Sequence, residues 1–235
     1  MSVDYVTYFD RNYLAKGLTL YESLQKSDPE SKLIIVTMDE YSRVILERLN
    51  LKNVSVVPLH EIEKNDSELL IARQTRKTVE YLWTLTPTII LSVFDKYSKA
   101  DYLAYVDADL YFYTDIKPLL QEMGSKSVLI HKHNFPQRLQ HLERFGVYNV
   151  GLIICKRDRE SFTVLNDWRE KCNEWCHDYD ENGKFGDQGY LTSWPQRFSS
   201  VHVTTNIGAG VAPWNQEQFQ YTTDQSGKVA ANGVP

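Results

Sequence analysis

Short apolar runs alternate with longer amphipathic segments along the chain, and this alternation restricts the fold more than any other feature. "DYVTYF", "KLIIVTM", "VSVVPL", "DYLAYV", "SVLI" and "YNVGLIIC" are rich in Val, Ile and Tyr, the residues that suit strands. Between them, "YLAKGLTLYESLQK" places Leu14, Leu18, Tyr21 and Leu24 about one turn apart on one helical face. "SRVILERLN" supplies a second helix before the next strand. Strands joined by covering helices build a mostly parallel sheet with helices on both faces, a Rossmann-type α/β/α sandwich.

From Leu59 to Tyr97 the reading is mostly helical, and Pro87 in "LWTLTPTIIL" is expected to kink or split it because proline lacks a backbone donor. A short helix is expected near Leu119, then a Pro-bearing segment "HNFPQRLQHLERF", and a long helix from Arg159 to Tyr179. "DQSGKVAANGVP" reads as a turn between two strands that stops before the second gains apolar length. That suggests a piece of a longer chain. Residues 1–235 are expected to form one domain.

The 235 residues are 42% hydrophobic, enough for a sizeable core, and the net charge is -5. Such a balance argues against an electrostatic grip on nucleic acid or anionic lipid, which needs clustered Lys and Arg. No apolar run approaches the roughly 18 to 20 residues of a membrane span. "SVDYVTYF" after Met1 has no basic stretch or cleavage site of a signal peptide. The expected compartment is the cytoplasm, compatible with peripheral association at the inner face of the membrane. Cys155, Cys172 and Cys176 are odd in number. "CNEWC" spaces the last two by one helical turn, poor for a disulfide and too few for zinc, so three reduced thiols are expected.

In "YLAYVDADLYF" an apolar strand ends in Asp107 and Asp109. Open α/β sheets deliver ligand-binding groups at the C-terminal ends of their strands. In extended backbone, two carboxylates flanking Ala108 share one side. Mg²⁺ or Mn²⁺ takes oxygen ligands and commonly uses one or two carboxylates, leaving the rest to water and substrate phosphate. A bare D-x-D is also what an ordinary acidic turn looks like. Here, acid beside Tyr105, Val106, Leu110 and Phe112, with no Lys or Arg close by in sequence, calls for a counter-charge that a metal would provide.

"YVDADLYF" resembles the metal-binding D-x-D turn of GT-A-fold glycosyltransferases. The chain as a whole resembles family 8 and related bacterial nucleotide-diphospho-sugar transferases, through "TYFDRNYLAKGLTLYESL", "YNVGLII", "GDQGYLTSWP" and "GAGVAPWN" in that order. The resemblance implies a UDP-sugar donor, a saccharide or lipid-linked acceptor such as a bacterial surface glycan, Mn²⁺ or Mg²⁺, and retention of anomeric configuration. It makes Thr7, Tyr8, Asp10 and Tyr13 nucleotide-binding candidates, where an aromatic face stacks on a base and an acid accepts from base or ribose. Tyr13 equally suits a helix start packed on the core. Asp107 falls on the metal and ribose side, and Asp109 holds the metal that bridges the diphosphate.

By the same resemblance Asn149 bonds sugar hydroxyls, with Gly151 allowing close backbone approach, and Asp187 and Gln188 lie beside the reacting carbon. Asp187 would also serve as a helix N-cap. Thr84 and Thr86 fall on a helix touching the donor, and Arg73 or Arg76 would neutralise phosphate. Gly208 and Gly210 would permit close approach to sugar or acceptor, and Trp214 would pack under a sugar ring or in the core. One departure concerns the third metal ligand: the family usually supplies a histidine in a C-terminal H-x-x-G-type motif, and "TTDQSGKVAANGVP" holds none. His202, in a strand-like "SVHVTT", is a poor substitute.

Two other functions share this architecture. A sugar nucleotidyltransferase would open with a Gly-rich basic loop after the first strand, which "YFDRNYLAKG" lacks. A non-catalytic nucleotide-sugar-binding or scaffolding domain would keep the fold and lose turnover.

Overall fold

The computed structural model describes residues 1–64, 66–225 and 229–234. Its sheet is built from β1 (Val3–Phe9), β2 (Lys32–Thr37), β3 (Val54–Pro58), β4 (Tyr102–Val106), β5 (Val128–Lys132), β6 (Tyr148–Lys156) and β7 (Val201–Val203), in the order β3-β2-β1-β4-β6-β5-β7. β6 runs antiparallel to β4 and β5, and every other neighbouring pair is parallel. A separate ribbon pairs β8 (Tyr221–Thr223) with β9 (Val229–Ala231). The expected C-terminal turn has its tip at 226–228, outside the described residues.

Both faces of the sheet are covered, and its central strands are apolar on both, as in Leu33–Val36 and Tyr102–Val106. Ile34 and Val36 face one core while Leu33 and Ile35 face the other, the period of two that extended backbone imposes. One face packs on α1 (Leu14–Ser27), α2 (Glu40–Leu49) and α6 (Lys117–Met123), through Leu20, Leu24, Leu46 and Met123. The other packs on α3 (His60–Glu63), α4 (Ser67–Thr75), α5 (Thr78–Lys96), α7 (Arg159–Glu174) and α8 (Trp194–Arg197), through Leu69, Leu85, Ile89 and Trp168.

Several expectations need correction. Pro87 sits inside an unbroken α5, and the helical stretch is divided instead by Arg76 and Lys77 between α4 and α5. A proline lacks one donor, and burial of Leu85, Ile89, Ile90, Val93 and Phe94 on α5 outweighs the loss. The long helix ends at Glu174, so Cys176 lies beyond it; all three cysteines are free and buried. In α1 the buried stripe runs through Gly17, Leu20 and Leu24, with Leu14, Leu18 and Tyr21 on its half-buried flanks. Tyr13 belongs to a 3-10 turn, Arg11–Tyr13, ahead of α1. Gln137–Phe145 in the Pro-bearing segment is also 3-10.

Two local features place the site. A Cβ on Gly17 would lie 2.3 Å from the Phe9 ring, so glycine lets the start of α1 press against the end of β1. Between Leu129↔Ile154 and His131↔Asn149, two steps along β5 match five along β6, so β6 carries a bulge. Across it the strand changes face: Val150 packs with the first core and Leu152 with the second. Bulges of this kind re-aim side chains beside functional sites.

Candidate active site

β2 and β3 lie to one side of β1, and β4 to the other. The order in which strands are added thus reverses between the parallel neighbours β1 and β4, and a crevice opens beyond their C-terminal ends. A cleft of about 350 Å³ occupies it, lined by Tyr8, Asp10 and Tyr13 from the β1 exit, Thr86 from α5, Asp107 and Asp109 from the β4 exit, Asn149 and Gly151 from the bulge, and Asp187 and Gln188.

Each acid is held differently. Tyr105 donates to Asp107 Oδ1 at 2.7 Å, and the Asp107 N–H donates to Gly151 O at 2.9 Å, tying the acidic turn to the bulge. Desolvation raises the Asp107 pKa above the usual carboxylate range, opposed by the Tyr105 hydrogen bond and reinforced by Asp109. Asp109 is largely exposed and pairs with Lys16 Nζ at 3.3 Å, a cation 93 residues away that also sits 4.1 Å over the Tyr13 ring. The expectation that no Lys or Arg lies near the acidic pair is therefore corrected for Asp109; Asp107 has no such ion pair among the described residues.

Asp187 is buried, 4% exposed, ahead of the 3-10 turn Gln188–Ser193, and its carboxylate makes no capping hydrogen bond. Its backbone carbonyl accepts from Trp168 Nε1 at 2.9 Å. Burial pushes its pKa up to about 7; the Thr86 hydroxyl works against this and the Asp107 charge adds to it. Gln188 Nε2 donates to Phe145 O at 3.0 Å, which fixes its amide. Asn149 Oδ1 accepts from Gly151 N at 2.6 Å within the bulge.

Among the nucleotide candidates, the Tyr8 hydroxyl is held on α5, donating to Leu82 O at 2.9 Å with Thr86 Oγ1 at 3.0 Å. Both Asp10 oxygens accept from Asn12, at 2.9 and 2.8 Å, and Tyr13 is 42% exposed at the rim. Thr7 is fully buried in β1 and does not line the cleft. Thr84 faces away from it: its hydroxyl donates to Glu80 O and accepts from Arg76. Arg76 also donates to Cys172 O and Asn173 O, and Arg73 pairs with Glu63 at 3.0 Å, so both are committed on the outer helices. His202 lies 3.2 Å from Glu122 on the far side of the sheet order. Gly208 and Gly210 lie outside the cleft lining, and Trp214 Nε1 donates to His133 O at 2.9 Å. Sequence reasoning missed Lys16, whose partner lies 93 residues away, and Tyr105, whose hydrogen bond to Asp107 spans two residues and follows from the side-chain period of a strand.

The donor set suits a hard divalent cation. Among the described residues nothing hydrogen-bonds to Asp107 Oδ2, and glycine at 151 preserves the space in front of it, since a methyl there would lie 3.3 Å from that oxygen. Among the described residues no group of three His, Cys, Asp or Glu side chains converges as a metal cage. Two carboxylates completed by water and phosphate match Mg²⁺ or Mn²⁺ and not a closed zinc site. The same methyl would also sit 2.6 Å from Asn149 Oδ1. Gly151→Ala is therefore expected to leave a folded protein by circular dichroism, to lower stability by about 1–3 kcal/mol, and to cut nucleotide release from a sugar donor roughly tenfold or more.

The sheet order and the cleft at its reversal define the GT-A fold of glycosyltransferases. The galactosyltransferase LgtC, solved with donor and acceptor sugar analogs, matches it with a TM-score of 0.54 over 86% of this chain and 73% of LgtC, at 14% identity. Mouse xyloside xylosyltransferase 1 matches with a TM-score of 0.54 over 87% of this chain and 85% of its own, at 16% identity. No protein-family model matches the chain. Closer in sequence are two proteins of Bacillus subtilis (strain 168), the uncharacterized proteins YfnD and YfnF. YfnD is 32% identical over 97% of this chain and 74% of its own length, and YfnF 31% identical over 100% and 79%. The chain belongs to the family of YfnD and YfnF.

Proposed function

We propose that this chain is a metal-dependent glycosyltransferase that moves a sugar from a nucleotide-diphospho-sugar, with UDP the favoured nucleotide, to a saccharide or lipid-linked acceptor with retention of configuration. The observation that carries the reading is the meeting of Asp107, Asp109, Asn149 and Asp187 in one cleft at the sheet's switch point. Similarity in fold to a galactosyltransferase and a xylosyltransferase supports it.

Asp107 and Asp109 would hold Mn²⁺ or Mg²⁺, which when bound stabilises negative charge on the departing diphosphate. Tyr105 orients Asp107 for this by its hydrogen bond. Tyr8, Asp10 and Tyr13 form the nucleotide side of the cleft, so residues 1–106 supply the base and ribose contacts and 107–235 the metal and sugar contacts. Asn149 offers its amide to sugar hydroxyls. Asp187 and Gln188 face the anomeric carbon, where ionised Asp187 stabilises developing positive charge. No helix among the described residues is long and apolar enough to cross a membrane. Three buried free thiols fit a reducing, cytoplasmic setting, and a lipid-linked acceptor would bring the protein to the inner face of the membrane.

Thermal-shift screening against UDP-, GDP- and CDP-sugars, with Mn²⁺ or with EDTA, tests the reading. A UDP-sugar is expected to raise the melting temperature only with the metal. Indifference to every nucleotide sugar would refute it, and binding without release of UDP would point to a non-catalytic binding domain.

A further inference from the structure

Asn149 takes its orientation from both ends of its amide. The Gly151 N–H donates to Oδ1, so the atom 3.1 Å from His133 Nε2 is Nδ2. An NH₂ group offers only hydrogens, so His133 Nε2 must present a lone pair and the ring proton lies on Nδ1, facing Val147 O at 3.4 Å. His133 does not line the cleft; it touches it only through Asn149.

The imidazole is itself immobilised. It stacks on Phe135 with centroids 4.7 Å apart and planes within 7°, and meets Trp214 at 5.7 Å. Its backbone carbonyl accepts from Trp214 Nε1 and from the fully buried Asn215 Nδ2, each at 2.9 Å. Asn215 Nδ2 also donates to Gly210 O at 2.7 Å. The "GAGVAPWN" segment thus grips His133, which explains the motif without giving it a ligand. Desolvation holds the ring's pKa below its usual value, which favours the neutral form that the hydrogen bond requires.

We propose that His133 is a positioning residue for sugar selection, whose Nε2 lone pair locks the Asn149 amide so that one Nδ2 hydrogen and one Oδ1 lone pair remain for a sugar hydroxyl. This rests on the nucleotide-sugar reading of the cleft. Without the lone pair, the Asn149 side chain keeps only the Gly151 contact and can swing away from the hydroxyl.

The direct test is the imidazole tautomer, read from long-range proton–nitrogen correlations in ¹⁵N-labelled protein. The wild type is expected to show His133 as the Nδ1–H tautomer at neutral pH, and Asn149→Ala to relax it toward a mixture. A wild-type Nε2–H tautomer would overturn the proposal. Calorimetry with UDP, UDP-glucose and UDP-galactose in the presence of Mn²⁺ gives the functional readout. His133→Leu is expected to bind UDP within about twofold of wild type and the better UDP-sugar about five- to tenfold more weakly, with His133→Gln, which keeps an acceptor, recovering most of the loss. Equal weakening for UDP and UDP-sugar also overturns it. If the Leu variant does not fold, the wild-type tautomer still decides. A wild type that binds none of the three ligands would sink the nucleotide-sugar reading, while the tautomer judges the His133–Asn149 pair separately.

Discussion

Asp187→Asn is expected to stabilise the protein at pH 8 while reducing sugar transfer by roughly a hundredfold or more. The two effects share one cause. Asp187 is buried, and desolvation pushes its pKa up to about 7 from the 3.8 of a free aspartate. Below 3.8 the carboxyl is protonated whether the chain is folded or not. Between 3.8 and about 7 the folded protein holds a proton that the unfolded chain has lost, so stability falls as pH rises through that window. Above it the full cost of a buried, ionised carboxylate is present. At 1.36 kcal/mol per pH unit the window corresponds to about 4 kcal/mol, and Asn, which stays neutral, removes most of it. Urea unfolding at pH 8 should show a gain of about 2–4 kcal/mol for the variant, shrinking toward zero near pH 4. Donor binding should survive, because the proposed function places the acid beside the reacting carbon and not the nucleotide. A variant as active as wild type would reduce Asp187 to a structural residue; equal stability at pH 8 would show that its charge is well solvated.

The strands were legible because the middle of a sheet covered on both faces is a near-continuous apolar run, as in "LIIV" and "YLAYV". Helix limits were less so. Nothing in "NEWCHDY" announces a stop at Glu174, and a proline in an apolar helix face is overridden by burial that only the tertiary structure reveals. For the site, Asp107 and Asp109 were readable from a strand's end. Thr84 and Thr86 were not separated, yet helix geometry turns residues two apart to opposite sides; Thr86 lines the cleft and Thr84 meets Arg76. The supports of the site were out of reach. Lys16 meets Asp109 across 93 residues, and His133 meets Asn149 across a bulge whose register no local pattern encodes.

Asp109→Ala is expected to abolish metal-dependent nucleotide release and to leave the fold intact. The side chain of Asp109 is 46% exposed and its Lys16 partner 50%, so their ion pair contributes little to stability and its loss should barely move the melting temperature. Under the proposed function the variant removes one of the two carboxylates offered to the cation, and no group of three His, Cys, Asp or Glu side chains among the described residues stands in for it. Asp107 alone would hold the cation far less firmly, because the Tyr105 hydroxyl already takes one of its oxygens. In a coupled assay the UDP released from a donor sugar should fall by roughly a hundredfold or more, and added Mn²⁺ should no longer raise the melting temperature in the presence of UDP. Lys16→Ala is the contrast: it removes the same ion pair but spares the carboxylate, so metal-dependent release should persist. If Asp109→Ala turned over unchanged, or if Lys16→Ala were equally inactive, the acid pair would not be the cation's seat.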